Sequence, residues 1–521
     1  MLSAATLVYL AIPFFIFFLG WLRWPLAILM TILLGTALWT AVRQLLPDRR
    51  SVDFRELVPG SAVNCAFAFA GVVSLLYISG ISGFGFQTPD WQKHFAIVND
   101  LAGNPWPVLY PADDSWPVAR FLTYYFAYYL PAATVASWAG PLAGDITLFL
   151  WTLIGVWFSC LWVSRLCGSN SWLVWAAWFG LGGMDVVGAL LRSSVVNYTP
   201  SRIDGWYAGF GVFSANAELL VWVPQHMLAG WLSTGLILWH GESWRDAVLR
   251  PNQTYRPVFI LCFLAAALSS LWSPFVTIGL APLVLLLAWQ AGLPALFRHV
   301  VQNWFMIAGA AATVLLSAIF LSSVSREAVP SGWSFLHRSW EIWLIRAATV
   351  CLLSFGIQTA LVLSLLRLRH SKDSSRTWVW VAGIVLTLIP LYYAGAYNDF
   401  MMRVSIPPLF VVHVMMLRTL RIELTNFRPL NWRASGLAAC IILGLGQATD
   451  IVAHHVAGTR LGSRNLTQGS RDWTIPELPY TGGPLPASAG LIRSQYYGAA
   501  QSFFFTKLAR SSSAVAPNAT K

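Results

Sequence analysis

FLTYYFAYYLPAATVASW, residues 121–138, is the stretch on which the layout of the chain turns. It is apolar enough to count as a membrane crossing, and counting it would reverse the side of every loop that follows. Tyr124, Tyr125, Phe126, Tyr128 and Tyr129 crowd its first half, and Pro131 interrupts it. Rings with an apolar body and a polar edge settle at the water–lipid boundary. The segment therefore reads as a juxtamembrane or re-entrant element rather than a span.

On either side of it, apolar runs recur from residue 3 to residue 452. The 521 residues are 57% hydrophobic and only 10% charged. A soluble domain carries about 25% charged residues, so a soluble enzyme, a disordered chain and a fibrous protein are excluded. About 20 residues cross a bilayer. The pattern predicts an all-α polytopic membrane protein with about 13 transmembrane helices, near 3–22, 24–42, 58–82, 145–164, 171–192, 217–239, 257–272, 275–290, 303–324, 345–366, 378–396, 405–420 and 435–452. The first run is followed at once by a second, with no small-residue cleavage site between them, so it is expected to stay as a helix. Residues 1–57 form an N-terminal two-helix extension, 58–452 a core, and 453–521 a tail.

Charge orients the helices. With a cytoplasmic N-terminus, 17 Lys and Arg residues fall in inside loops and 9 in outside segments ahead of the tail. That bias follows the positive-inside rule and predicts a bacterial inner-membrane protein with a periplasmic C-terminus. The net charge of +12 then reads as orientation rather than nucleic-acid binding, because no basic cluster is long enough. The six cysteines lie in or beside apolar runs without a CxxC pair, so neither a disulfide framework nor a thiolate site is expected.

The chemically rich segments share the outer side: 83–142, 193–216, 325–345, the NDFMMR string of Asn398 to Arg403, and the tail, which is expected to lie across that face. Asp90 in PDWQKH stands at the start of an expected helix over Trp91–Leu101. A carboxylate there either caps the helix or acts as a general base, with Lys93 and His94 one turn on placed to meet an acceptor or a phosphate. Asp185, in FGLGGMDVVGALL, lies about two turns inside the fifth span. At that depth a carboxylate is expensive unless it meets a polar cavity or a partner helix. Pro224 in WVPQH breaks the sixth span and leaves Gln225 and His226 in its outer half. Arg403 opens a span behind Asn398 and Asp399. It either snorkels to the interface or binds phosphate with its fork, oriented by Asp399. Arg346 and Arg202 are weaker candidates for the same task, and Tyr198 sits beside Arg202.

Asp90 in the first large outer loop, the YYFAYYLPA run followed by GDITLFLWTLIGVW, and NDFMMR together give the chain a layout that resembles the GT-C class of polytopic glycosyltransferases over residues 58–420. The resemblance implies a GT-C-like fold and a transferase that takes sugar from a polyprenyl-phosphate donor. The acceptor would be an envelope glycan, a lipid or a polymer, met on the outer face. It implies Asp90 and Asp185 as catalytic carboxylates, Arg403, Arg346 and Lys93 on the donor phosphate, and His94, His226, Gln225, Asn398, Asp399, Tyr198 and Arg202 around the substrate. Two departures stand out. The acidic loop follows the third span rather than the first, and the paired acidic motif of such enzymes is a single Asp90 here, so a second carboxylate must come from Asp185, Asp113 or Asp114. Such a pair leaves room for Mg²⁺ or Mn²⁺. A transporter or flippase, or a polymerase or ligase of lipid-linked saccharides, would also use intramembrane carboxylates and kinked helices.

Overall fold

The computed structural model describes residues 1–46, 61–112, 117–196, 203, 206, 210–248, 258–324, 331–337, 339–368, 375–395, 398–425, 431–460, 472–478 and 495–511. Helices dominate. In chain order α1 (Leu2–Trp21) and α2 (Trp24–Leu45) form a hairpin, followed by α3 (Ala62–Ile78) and α4 (Asp90–Gly103). Strands β1 (Leu109–Tyr110) and β2 (Arg120–Leu122) precede α5 (Leu130–Ala139) and α6 (Pro141–Cys167). Then come α7 (Trp172–Gly180), α8 (Asp185–Val196), α9 (Asn216–Trp222), α10 (Pro224–Val248), α11 (Val258–Leu268) and α12 (Pro274–Ala291). After α13 (Leu293–Gln302), α14 (Trp304–Leu321) and β3 (Ser331–Trp333), α15 (Trp340–Cys351) runs through a π-helical turn, Leu352–Gly356, into α16 (Ile357–Leu368). The chain continues with α17 (Ser375–Leu388), β4 (Tyr392–Ala394), α18 (Asp399–Val404), α19 (Ile406–Thr425), α20 (Trp432–Arg460) and β5 (Tyr497–Ala499).

Among the described residues eight helices are long and apolar enough to cross a membrane. Three shorter apolar helices, Val63–Ile78, Val258–Leu268 and Ser375–Leu391, accompany them. Packing explains the side-chain distribution. Trp21, Trp162, Trp178, Trp231, Trp272 and Trp378 are fully buried between helices, while Ile28, Ile32, Phe67, Leu150 and Leu285 are each about half exposed or more. Large aliphatic and aromatic side chains facing outward over whole helix faces are costly in water and ordinary in lipid. The chain is a helical polytopic membrane protein.

Two of the expected spans are interrupted. The fifth is split at Leu181–Met184 into α7 and α8, and the sixth at Val223 into α9 and α10. The break at Val223 is where Pro224 removes a backbone donor. The stretch 121–138 is not a crossing. Its first residues are strand, Phe126 packs on Trp21 with ring centroids 4.8 Å apart, and the Tyr128 hydroxyl meets Thr152 Oγ1 at 2.6 Å. Its helical part belongs to the ten-residue α5, a rise of about 15 Å and half a hydrocarbon core. At Gly140, whose φ of +87° suits a residue without a side chain, α5 turns back on α6 as a tight hairpin.

The described parts of the tail are tied to one end of the bundle. β5 pairs antiparallel with β2, which also pairs with β1. Arg23 donates from Nε to the Ala509 carbonyl at 3.0 Å and from Nη2 to the Thr506 carbonyl at 2.7 Å. Arg510 donates to the Leu19 carbonyl at 2.7 Å. The opposite end carries basic side chains: Arg418 Nη1 donates to both carboxylate oxygens of Glu242, at 2.7 and 2.9 Å, and Arg421 donates to the Cys167 carbonyl.

Candidate functional site

The site is assembled at the tail-covered end. α4 begins one residue earlier than the sequence suggests, so Pro89 is its N-cap and Asp90 its first helical residue, without a capping bond. The Asp90 carboxylate instead reaches along the helix to Lys93 Nζ at 2.5 Å. Burial works to raise the Asp90 carboxyl, but Lys93 above all, with His94 and Arg403, holds it below the usual carboxylate range. Asp90 is therefore ionised, with its side chain 33% exposed rather than sealed.

His94 takes a different part from the one expected. Its ring is fully buried, with Nε2 3.2 Å from the Trp222 carbonyl and Nδ1 2.5 Å from the Tyr129 hydroxyl. A carbonyl only accepts, so Nε2 carries the proton and Nδ1 accepts from Tyr129. Burial first, then Lys93, depresses its pKa to about 3. A neutral imidazole with both nitrogens engaged fastens α4 to the α9–α10 break and does not bind phosphate.

Arg403 comes from the other end of the sequence. Asn398 adopts the left-handed conformation, accepts from the Met401 amide at 3.3 Å and donates to the Phe210 carbonyl at 3.1 Å, so it caps α18 rather than facing a substrate. One turn along, Asp399 Oδ1 lies 2.9 Å from Arg403 Nη2. Arg403 Nη1 donates to the Tyr125 hydroxyl at 2.6 Å. Its guanidinium stands 5.6 Å from the Tyr125 ring and 5.9 Å from the Phe275 ring. Burial disfavours the cation most strongly, but Asp399, Tyr125, Tyr124 and Asp90 together outweigh it, and the Arg403 pKa is raised. Arg403 Nε is buried with no partner among the described residues.

The surroundings are aromatic and polar. The His226 ring lies 4.9 Å from Tyr125, and Tyr124 packs between Tyr125 and Tyr496 of the tail at 3.8 and 4.8 Å. Gln225 and His226 are fully buried, and neither side chain has a hydrogen-bond partner among the described residues. Asp90, Lys93, Arg403, Asp399 and His226 are thus brought together, with Tyr124, Tyr125 and Tyr496 between them. Nothing in the sequence assigns these three tyrosines to the site. Tyr124 and Tyr125 were legible only as interfacial aromatics, and Tyr496 carries no local signal in SQYYGAA.

Asp185 stands elsewhere. Its Oδ1 accepts from Trp206 Nε1 at 3.0 Å, beside the α7–α8 break. The second carboxylate of the site is Asp399. Arg346 is exposed on α15 and Tyr198, Arg202, Asp204, Asp113 and Asp114 lie outside the described residues. The donor set does not fit Mg²⁺ or Mn²⁺. Asp90 and Asp399 are each paired with a cation, and no group of three or more His, Cys, Asp or Glu side chains suited to a metal occurs among the described residues. Two cations around uncommitted donors suit an anion instead.

On the flank of the bundle, α3, Phe84 and α6 enclose an apolar groove of about 660 Å³, lined by Val73, Tyr77, Phe84, Ile146, Phe149 and Leu150. Phe84 precedes Asp90 by a short link in the same loop. The chain matches no protein-family model, no curated protein and no solved structure.

Proposed function

We propose that this protein is a membrane glycosyltransferase that moves a sugar from a polyprenyl-phosphate donor to a hydroxyl of an envelope glycan, lipid or polymer. The observation that carries the reading is Arg403: a buried guanidinium aimed by Asp399 and Tyr125, with Nε uncommitted, in one site with Asp90 and Lys93. The groove between α3 and α6 suits the polyprenyl chain. The bias of basic residues toward the other end of the bundle supports an inner-membrane location with the site facing the periplasm.

The electrostatics supply a sequence of events. Asp90 held by Lys93 is a weak base. A donor phosphate brings negative charge that Lys93 and Arg403 can share, and drawing Lys93 away frees the carboxylate and raises its basicity. The acceptor oxygen then attacks the anomeric carbon while its proton passes to Asp90. The bond from that carbon to the phosphate oxygen breaks, and the polyprenyl phosphate leaves with the electron pair, its growing charge met by Arg403. Direct displacement inverts the anomeric centre.

The test is binding of a C55 polyprenyl monophosphate to the detergent-solubilised chain. Arg403→Lys replaces a fork by a point charge, and affinity should fall roughly 10- to 100-fold, the value of one charge-assisted hydrogen bond. Asp90→Asn should bind the lipid but lose transfer from membrane-extracted lipid-linked sugars. Wild-type affinity in Arg403→Lys, or wild-type transfer in Asp90→Asn, overturns the reading. The interrupted α7–α8 and α9–α10 helices favour a transporter of lipid-linked or anionic substrates as the second reading, since such breaks line substrate paths. That protein would move the lipid across the bilayer and form no glycosidic product.

A further inference from the structure

At the end of the bundle opposite Arg403, α13 joins two apolar helices. α12 starts beside Arg403, where Phe275 stands, and runs away from it; α14 returns to the tail, where Val324 bridges to Gly498. The ten residues of α13 rise about 15 Å, half a hydrocarbon core, so the helix is too short to cross and lies at the surface of the far end. Gly292, with a φ of +75°, turns the chain into it, and Asn303 ends it.

Its two sides differ. Leu293, Phe297 and Val301 recur every four residues along one side and are 81%, 72% and 53% exposed. His299 is buried on the opposite side. Arg298 and Gln302 are exposed along one edge of the apolar side. Trp289 just ahead of the helix and Trp304 just after it are exposed as well. α2 ends at the same corner, where Gln44 Nε2 donates to Asn303 Oδ1 at 2.9 Å. One residue earlier, the exposed Arg43 places its guanidinium 4.6 Å from the ring of Trp39, which is itself exposed. Neither α2 nor α13 contains an aspartate or glutamate, and neither do α11, α12 and α14, which pack against α13. Two arginines therefore edge an exposed apolar surface with no carboxylate on the helices that build it.

We infer that α13 and the end of α2 form a binding surface for anionic phospholipid, with Leu293, Phe297 and Val301 among the acyl chains and Arg298 and Arg43 on the lipid phosphates. A short helix with one apolar side edged by a cation lies in the plane of the water–lipid boundary. Exposed tryptophans before and after it belong at the same depth. The negative charge of the headgroup layer supplies the counter-charge that these helices lack, and a guanidinium forks onto phosphate oxygens. A second copy seated here by two-fold symmetry would present the same patch and offer the arginines no carboxylate. The inference does not rest on the transferase reading.

The test uses the full chain in vesicles of phosphatidylcholine and phosphatidylglycerol, with a photoactivatable group on the acyl chain of one lipid or the other and mass spectrometry of the labelled peptides. The peptide holding α13 should be labelled more strongly by the phosphatidylglycerol probe. Arg43→Gln and Arg298→Gln should each lower that preference about fivefold, the worth of one arginine beside an anionic leaflet. Both side chains are exposed, so neither substitution disturbs packing. Phe297→Asp should reduce labelling of the same peptide by both probes. Equal labelling of α13 by the two probes, an unchanged preference in both arginine variants, or an α13 that neither probe reaches overturns the proposal. Any of these results leaves polyprenyl-phosphate binding at Arg403 untouched.

Discussion

Arg403 and Asp399 form an ion pair whose side chains are only 7% and 16% exposed, so its energetics follow from burial. Removing one member strands the other charge. Arg403→Met leaves Asp399 without its cation and should cost about 3–5 kcal/mol. Asp399→Asn leaves the guanidinium held by the Tyr125 hydroxyl alone and should cost a similar amount. The double variant removes both charges, so its cost should fall short of the sum by about 3 kcal/mol. The assay is unfolding in mixed micelles on raising the SDS fraction, followed by tryptophan fluorescence, which the 28 Trp residues make strong. The four proteins close a double-mutant cycle. Additivity within about 0.5 kcal/mol would mean that the pair is solvated, and the argument that Arg403 is held ready for an anion would fail. An Asp399→Glu variant serves as a control, because it keeps the charge and should recover part of the coupling.

Asp100 on α4 accepts from the Tyr110 hydroxyl at 2.6 Å and the Ile475 amide at 2.8 Å, where the tail meets the bundle. Burial raises its pKa to about 6, against the lowering effect of those two donors, with Glu477 nearby adding to the rise. A folded-state pKa above the unfolded one means that the folded protein holds the proton more tightly. The stability of this contact is full below the ordinary aspartate range and declines as pH rises through about 6, by about 3 kcal/mol in all. Asp100→Asn keeps an accepting oxygen and should flatten that dependence, read as the difference in melting temperature between variant and wild type from pH 4 to pH 7; parallel profiles would count against it. Gly279 of α12 packs on the backbone of α18, and a Cβ there would stand 2.2 Å from the Val404 carbonyl oxygen. Gly279→Ala should force the helices apart, cost about 1–3 kcal/mol, and weaken polyprenyl-phosphate binding through the adjacent Arg403. Unchanged stability and binding would show that α12 and α18 have slack.

Much of the helical framework was legible because its signals are local. Long apolar runs mark the helices, Pro224 marks the α9–α10 break, and the aromatic density with Pro131 marks 121–138 as something other than a span. The Gly-rich stretch ahead of Asp185 permits the close approach that Gly182 and Gly444 show, although nothing in it announces an unwound segment. The site was legible only in part. Asp90, Lys93 and Arg403 stood out as charges beside apolar runs, and the structure brings them together. Asp185, equally conspicuous, belongs to a different place. His94 and Asn398 proved to be fastenings, because their roles depend on partners such as the Trp222 and Phe210 carbonyls that sequence distance hides.

The sequence by itself determined that this chain is a helical membrane protein, where its apolar helices run, and which few charges are candidates for chemistry, because hydrophobic length and charge placement are properties of adjacent residues. Only the tertiary structure decided which charges meet. Pairing Asp90 with Lys93 is a matter of one helical turn. Gathering Arg403, Tyr125, His226 and Tyr496 around them, and setting Asp185 against Trp206 instead, depends on how segments distant in sequence pack. That packing is selected by the fit of buried surfaces and the need to satisfy buried polar groups across the whole bundle.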